Sequence, residues 1–231
     1  MRISGSMVPV RRFIAAALAS GILLAVPRGV PALSPLTDAE RQPYIDAFVA
    51  KQQNTHTYQA ELHQTLQLSG MKKPIESEAH VYYKAPDSMR LSFTSPAGEY
   101  LIITGDDVYL KKNNRPLVHR KNTAQKGRPA EDARMLLSLF QGGAKDWGAL
   151  FAFEMARDGD RLVVTLHPRG DDPRARNVTI ENTITLPAYG LQSIRINFGQ
   201  DNAMTYDFTN ALRNAPIDDT TFVPPDSDRK L

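Results

Sequence analysis

Apolar and polar residues alternate along several stretches of this chain. In residues 58–68 the even positions are mostly apolar, as at Tyr58, Leu62 and Leu66, whereas the odd positions are polar. The same alternation recurs in later stretches of similar length: 76–84, 88–95, 178–186, 191–198 and 203–209. Because successive side chains of a β-strand point to opposite faces of its sheet, this pattern predicts antiparallel strands that share one apolar face.

Short segments rich in glycine, proline, asparagine and aspartate separate these stretches, as is typical of turns. Segments of the same kind delimit further candidate strands: 99–104, 108–112, 116–120, 151–157 and 161–167. Asp158-Gly159, between the last two, is a strong hairpin signal. Together these patterns predict about ten strands.

Two segments follow a helical period instead. The first covers residues 33–54, where Thr37 and Glu40 have the spacing of a capping box. The second covers residues 129–140 and ends before Gly142-Gly143. Each carries a stripe at spacings of three and four residues: Ile45, Phe48, Val49 and Gln52 in the first, and Met135, Leu136, Leu139 and Phe140 in the second.

A sheet this wide with one apolar face must curl or be covered, and two short helices cannot cover it flat. We therefore expect a mainly β protein with a few helices (α+β). Its architecture is predicted as an incomplete, curved antiparallel β-barrel of about ten or eleven strands with a helical lid. The interior is either a filled core or a cavity that receives an apolar ligand.

The N-terminal residues differ in composition from the rest. Two arginines precede an uncharged apolar stretch, 13–26, and small residues then offer a cleavage site before Leu33. This arrangement is typical of a secretory signal peptide, although an uncleaved N-terminal anchor is the alternative. We predict a signal peptide at 1–32 and a single exported domain at 33–231.

Removal of the signal changes the charge of the protein. The whole chain has 28 Lys+Arg against 25 Asp+Glu, but the four charged residues of 1–32 are all arginines, and 28 − 4 leaves 24 basic residues and a net charge of −1. A nucleic-acid partner, which requires a basic surface, is therefore not expected. The chain has no cysteine, which excludes disulfides and metal sites built on thiolates.

Motifs for catalysis and metal binding are missing from the sequence. It has no glycine-rich phosphate loop, no G-x-S-x-G elbow and no cysteine nucleophile. None of the histidines has a second candidate ligand at metal-site spacing: His56, His63, His80, His119 and His167. We therefore expect no catalytic residue, no metal and no cofactor, and we expect that the protein is not an enzyme.

Four features follow one another in a characteristic order. The N-terminal helix and the strand at 58–68 come first, followed by VYYKAPDSMRLSF (81–93), EYLIITGDDVYL (99–110) and NAPIDDTTFVPP (214–225). This order, behind an export signal, resembles that of the periplasmic lipoprotein carrier family LolA. The likeness spans most of residues 37–226, and it implies the incomplete barrel and helical lid of that family.

The resemblance also implies a function. The protein would be a soluble, monomeric periplasmic carrier that binds acyl chains of lipoproteins, or another lipid, in a hydrophobic cavity. It would receive this cargo from an inner-membrane ABC-type release complex and pass it to an outer-membrane acceptor. The alternative is a LolA-like regulatory sensor that binds lipoproteins without carrying them. An enzyme would instead require a convergent polar cluster inside the cavity.

Candidate residues for acyl-chain binding follow from the resemblance, with ordinary core packing as the alternative for each. They are the inward-facing positions of the strands and the apolar stripe of the lid: Leu62, Leu66, Val81, Tyr83, Leu91, Phe93, Leu101, Ile103, Met135, Leu136, Leu139 and Phe140.

One position departs from the family pattern. Carriers of this family place an arginine directly before the proline of the turn within 81–93, where it helps to hold the lid closed. Here that position is Ala85, and the nearest cation, Lys84, comes one residue earlier. A shift of one residue turns a strand side chain to the opposite face. The departure leaves open a paralogue that carries another lipid.

Overall fold

The computed structural model describes residues 33–112, 115, 117–121, 137, 151–169, 177–199 and 201–229, which belong to one structural unit. The predicted signal peptide lies outside the described residues. So does most of the predicted helix at 129–140, of which only Leu137 is described, with its side chain buried in the main core. Among the described residues there is no helix long and apolar enough to cross a membrane.

The described part of the chain contains twelve strands and one long helix, α1 (Asp38–Gln53). The strands in chain order are β1 (Ser34–Pro35), β2 (Thr57–Gln67), β3 (Ile75–Lys84), β4 (Ser88–Ser95), β5 (Ala97–Thr104), β6 (Asp107–Lys111), β7 (Val118–Lys121), β8 (Phe151–Asp158), β9 (Arg161–Pro168), β10 (Thr179–Thr185), β11 (Gly190–Asn197) and β12 (Ala203–Arg213). A 3₁₀ turn, Asp219–Phe222, and a last helical turn, α2 (Asp226–Arg229), follow.

All strand pairs are antiparallel and form a single sheet in the order β1-β8-β9-β10-β11-β12-β2-β3-β4-β5-β6-β7. The long strand β12 returns to the middle of the sheet and pairs with β2, which joins the two halves of the chain. The described strands do not close into a barrel, since β1 and β7 are the two ends of the order. This confirms the predicted class, a mainly β protein with an incomplete antiparallel barrel.

The first helix begins later than the sequence predicts. Its N-cap is Thr37, whose backbone N–H and hydroxyl both donate to Glu40 Oε2, at 2.8 Å and 2.7 Å, so the predicted capping box is confirmed. Residues Ser34–Pro35 are not helical, because they pair with β8 as the short strand β1. The following amide, Leu36 N–H, donates to Met155 O at 2.9 Å and continues this pairing.

The strand register aligns apolar side chains into continuous rows across the inner face of the sheet. One row crosses seven neighbouring strands, from β8 to β3: Phe153, Leu166, Ile180, Ile196, Met204, Leu66 and Ile75. Its centre is buried, but its last member, Ile75, is 48% exposed. The apolar face of the sheet therefore extends beyond the covered core at the β2–β3 end.

The opposite face of β3–β6 is covered by the C-terminal segment. Phe222 of the 3₁₀ turn is buried there with Tyr100 and Ile102 in a second, smaller cluster. Arg90 Nη1 donates to Thr221 O at 2.8 Å, and the Tyr100 hydroxyl donates to Asp228 Oδ2 at 2.8 Å. The second bond lowers the pKa of the Asp228 carboxyl because it stabilises the charged form.

Candidate functional site

A cleft lies between α1 and the inner face of β8–β11. Its volume is about 60 Å³. The helix contributes one wall and the four strands contribute the other: Tyr44, Ile45, Phe48 and Gln52 from α1, and Phe153, Met155, Leu162, Val164, Leu166, Asn182, Ile184 and Leu191 from the sheet. Nine of these twelve side chains are hydrocarbon or thioether groups, and none carries a charge. The cleft is therefore suited to an uncharged, apolar ligand.

Asn182 is the polar residue of the sheet wall. It is only 3% exposed, and neither Nδ2 nor Oδ1 of its side chain has a hydrogen-bond partner. In the register it lies directly between Val164 of β9 and Ile194 of β11. A buried amide without partners costs free energy that a hydrogen-bonding ligand or water in the cleft would recover.

Polar contacts hold both ends of α1 against the rest of the molecule. Near its start, Arg41 Nη1 donates to Phe153 O at 3.1 Å, and the guanidinium lies 5.3 Å from the centre of the Phe153 ring. In the same region, Arg157 Nη1 donates to the Tyr44 hydroxyl at 3.0 Å. At the other end, Asn214 Nδ2 donates to Asn54 O at 2.9 Å. The middle of α1, between these contacts, covers the cleft.

The cleft is small for a lipid chain. A cavity of about 150 Å³ binds a ligand as small as benzene, whereas this one measures about 60 Å³. Three of the α1 residues that line it, Tyr44, Ile45 and Phe48, are half-buried. A long acyl chain can therefore enter only if α1 or these side chains move away from the sheet.

The sheet candidates from the sequence all face the inner side but lie in the other half of the sheet, on β2–β5. Two of them, Leu66 and Phe93, are half-buried. The other six are buried in the main core: Leu62, Val81, Tyr83, Leu91, Leu101 and Ile103. None of them lines the cleft under α1. The four lid candidates, Met135, Leu136, Leu139 and Phe140, lie outside the described residues, so all twelve remain predictions.

The structure also places the two residues at the departure from the family pattern. Ala85 packs against the main core, and its backbone N–H donates to His56 O at 2.8 Å. Lys84 points to the other face, where its Nζ lies 2.5 Å from Asp219 Oδ1. The lysine therefore does not replace an arginine at position 85, as strand geometry predicts.

Sequence reasoning misses most of the cleft, although two signals for it are present. Gln52 belongs to the stripe of α1, where a polar residue among apolar ones indicates a buried polar group. Asn182 occupies the same strand face as Ile180 and Ile184. An amide at an inward position of an apolar strand is the pattern that could have identified this wall.

Comparison with known proteins identifies related sequences and folds. A family model described as outer membrane lipoprotein carrier protein LolA matches residues 53–225, which is most of the chain. No curated protein matches the chain.

Three solved structures illustrate the fold. The crystal structure of MucB aligns with a TM-score of 0.52 at 8% identity, over 81% of this chain and 64% of that chain. An uncharacterized conserved protein from Thermus thermophilus aligns at 14% identity and a TM-score of 0.49, over 81% of this chain and 96% of that chain. A putative outer membrane lipoprotein-sorting protein domain from Vibrio parahaemolyticus aligns at 9% identity and a TM-score of 0.44, over 78% of this chain and 95% of that chain. At 8% identity the likeness to MucB concerns the fold alone.

Proposed function

Since the chain belongs to the family of the outer membrane lipoprotein carrier protein LolA, we propose that it binds the acyl chains of lipoproteins, or of another lipid, in the cleft between α1 and β8–β11. It carries them through the periplasm from the inner to the outer membrane. In this role it binds and releases cargo without chemical conversion.

The observation that carries this proposal is an apolar cleft under a helix that can move, with an apolar row that extends from the cleft to an exposed end. The described residues that line the cleft include no charged side chain, and the apolar row that passes through the cleft continues to the exposed Ile75. Each methylene of an acyl chain gains about 0.8 kcal/mol when it leaves water. A surface several strands wide can therefore hold a chain that would not cross an aqueous compartment on its own.

Release to a membrane requires that the covering element moves. Near its ends α1 is held by hydrogen bonds from Arg41, Arg157 and Asn214. Such bonds contribute about 1 kcal/mol each, or about 1.5–3 kcal/mol where one partner is charged. Displacement of α1 would open the cleft at the cost of these bonds and of the contacts that Tyr44, Ile45 and Phe48 make with the main core, and a bound acyl chain would replace those contacts. An inner-membrane ABC-type release complex and an outer-membrane acceptor are the partners that a carrier of this family would need.

The test is binding of a fluorescent acyl probe to the purified protein, in the wild type and in Val164→Phe. Val164 is 5% exposed and lines the cleft, so a larger side chain there should fill the cleft and weaken probe binding at least tenfold. The matched control is Val118→Phe, at a position that is 41% exposed on β7. It should bind the probe like the wild type.

A wild-type protein that binds no acyl probe would contradict the proposal. Mass spectrometry of material that copurifies from the periplasm provides the complementary test, because a carrier should retain acylated cargo. It also separates the carrier from a regulatory sensor: a carrier should transfer its bound lipoprotein to acceptor membranes, whereas a sensor should bind without transfer.

A further inference from the structure

We propose that Asn182 anchors the ligand of the cleft by donating a hydrogen bond to an uncharged carbonyl, namely the ester or amide carbonyl that joins an acyl chain to the rest of a lipid or lipoprotein. This inference rests on the proposed function and specifies which part of the ligand the cleft recognises.

The amide of Asn182 is available for such a contact. It is 3% exposed, it lines the cleft, and both of its polar side-chain atoms lack a partner. The side chains beside it on the same face of β10 are Ile180 and Ile184, and those across from it are Val164 and Ile194. No described residue, including the Gln52 amide on the opposite wall, bonds these two atoms, so a partner for Asn182 would come from the contents of the cleft.

The lining determines the charge of the recognised group. No lysine, arginine, aspartate or glutamate is among the described residues that line the cleft. The arginines that contact lining residues already have partners, since Arg41 pairs with Asp38 and bonds Phe153 O, and Arg157 bonds the Tyr44 hydroxyl and Gly159 O. A free carboxylate or phosphate in the cleft would lose its hydration without an ionic partner. An ester or amide carbonyl has no such penalty and accepts the N–H that Asn182 offers.

Ester-linked and amide-linked chains can both satisfy the donor of Asn182. Asn182 presents both a donor, Nδ2, and an acceptor, Oδ1, and both are unpaired. An ester carbonyl satisfies the donor, and so does the carbonyl of a trans secondary amide, whose N–H points in the opposite direction and cannot reach Oδ1 of the same side chain. The half-buried residues Ile45 and Phe48 of α1 form the outer wall, so the group attached to the carbonyl would leave the cleft past this helix.

The experiment compares ligands of one chain length that differ only at the end: a methyl ester, an N-methyl amide, a free fatty acid and the plain alkane. Their affinities are measured by displacement of the fluorescent acyl probe from the wild type and from Asn182→Leu. Loss of one hydrogen bond should lower the preference for ester over alkane by about three- to tenfold, and the preference for amide over alkane by at least as much. Alkane affinity should stay equal or rise.

Ile184→Leu is the matched control, because it alters the shape of the same wall without a polar group and should change all ligands alike. Asn182→Val is a second variant for the same measurement, because valine also lacks the amide and its side chain favours strands. In the wild type, the side-chain amide NMR signal of Asn182 should shift with ester and amide but not with alkane.

An ester-to-alkane ratio that is unchanged in Asn182→Leu, or an equal loss for all ligands, overturns the inference and leaves the proposed function standing. Tighter binding of the free fatty acid than of the ester also overturns it. A wild-type protein that binds none of these ligands removes the proposed function as well.

Discussion

The ammonium group of Lys84 forms an ion pair with the carboxylate of Asp219, with 2.5 Å between Nζ and Oδ1. The same Nζ lies 3.4 Å from Ile217 O, so the lysine ties the end of β3 to the C-terminal segment. This contact is on the opposite face of the sheet from the cleft. The side chain that follows, Ala85, packs against the inner core.

Replacement of Lys84 by alanine should therefore affect neither the core nor the cleft. The partner Asp219 has 86% of its side chain exposed, and exposed ion pairs contribute about 0–1 kcal/mol. We expect the free energy of unfolding, measured with urea, to fall by no more than this amount. The affinity for an acyl probe should stay the same, and a large loss of affinity would mean that the lysine acts on the cleft.

Replacement of Ala85 by arginine should change how cargo is released. The new guanidinium would start from the inner side of the sheet, at the position where carriers of this family have their arginine. We expect slower dissociation of a bound acyl probe in stopped-flow measurements. Lys84→Arg is the matched control, because it places an arginine on the other face and should leave the rate unchanged. Equal rates in Ala85→Arg and the wild type would show that position 85 does not control release.

Asn182→Leu should stabilise the unliganded protein. Burial of an unpaired amide costs about 1–3 kcal/mol, and leucine removes this cost at similar size. For a domain of this length, each kcal/mol corresponds to a rise in Tm of about 2–4 °C. Thermal unfolding followed by circular dichroism measures the change. A lower Tm would indicate that water or protein groups already satisfy the amide.

Alkaline pH should destabilise the protein through Tyr58. Burial raises the pKa of the Tyr58 hydroxyl to about 12, although the charge of its cross-strand neighbour Arg213 opposes the shift. Above the unfolded value of about 10, the unfolded chain releases this proton while the folded chain keeps it, so stability falls by about 1.4 kcal/mol per pH unit up to about pH 12. Below about pH 10 the contribution is constant.

Urea unfolding at about pH 9 and about pH 11 measures this effect, and Tyr58→Phe should reduce the difference between the two. Some dependence should remain, because burial also raises the pKa of the Tyr83 hydroxyl. A pH dependence as steep in Tyr58→Phe as in the wild type would contradict the assignment.

Phe222→Ala should loosen the C-terminal segment and leave the cleft intact. Loss of a buried phenylalanine costs about 3–5 kcal/mol in a rigid core, but this segment can detach locally without unfolding the sheet. We expect faster hydrogen exchange in residues 214–229 and unchanged affinity for an acyl probe. Val223→Ala, at a position that is 39% exposed, is the control. Weaker probe binding in Phe222→Ala would contradict this expectation, because it would show that the C-terminal segment on one face of the sheet affects the cleft on the other.

The alternation of apolar and polar residues is sufficient to predict the strands, because side-chain direction in a strand is a local property. It assigns Tyr58, Leu62 and Val81 to the inner face, and they are buried there. The strand ends differ by one or two residues, and β12 runs on to Arg213 past an irregularity after Thr209. The short strand β1 is not predicted, because two residues, Ser34–Pro35, are too few to show an alternation of apolar and polar positions.

The cleft could not be predicted in the same way, because it depends on contacts between distant parts of the chain. Phe48 of α1 and Leu166 of β9 line the same space, yet no local pattern relates a helix to strands more than a hundred residues later. The resemblance to the carrier family directs attention to β2–β5 instead. The inward position of Asn182 is visible in the sequence, but its unpaired state follows only from its neighbours in three dimensions.

The apolar row from Phe153 to Ile75 determines which insertions and deletions the chain can tolerate. Because each of its seven members comes from a different strand, the row exists only while the six registers between neighbouring strands are kept. One residue inserted within β2, before Thr65, would put Thr65 in place of Leu66. The side chains after the insertion would then point to the opposite face of the sheet. Residues added in the turns leave the row intact. Insertions and deletions among descendants of this sequence should therefore occur mainly in the turns at the strand ends, where they do not change the register of the row.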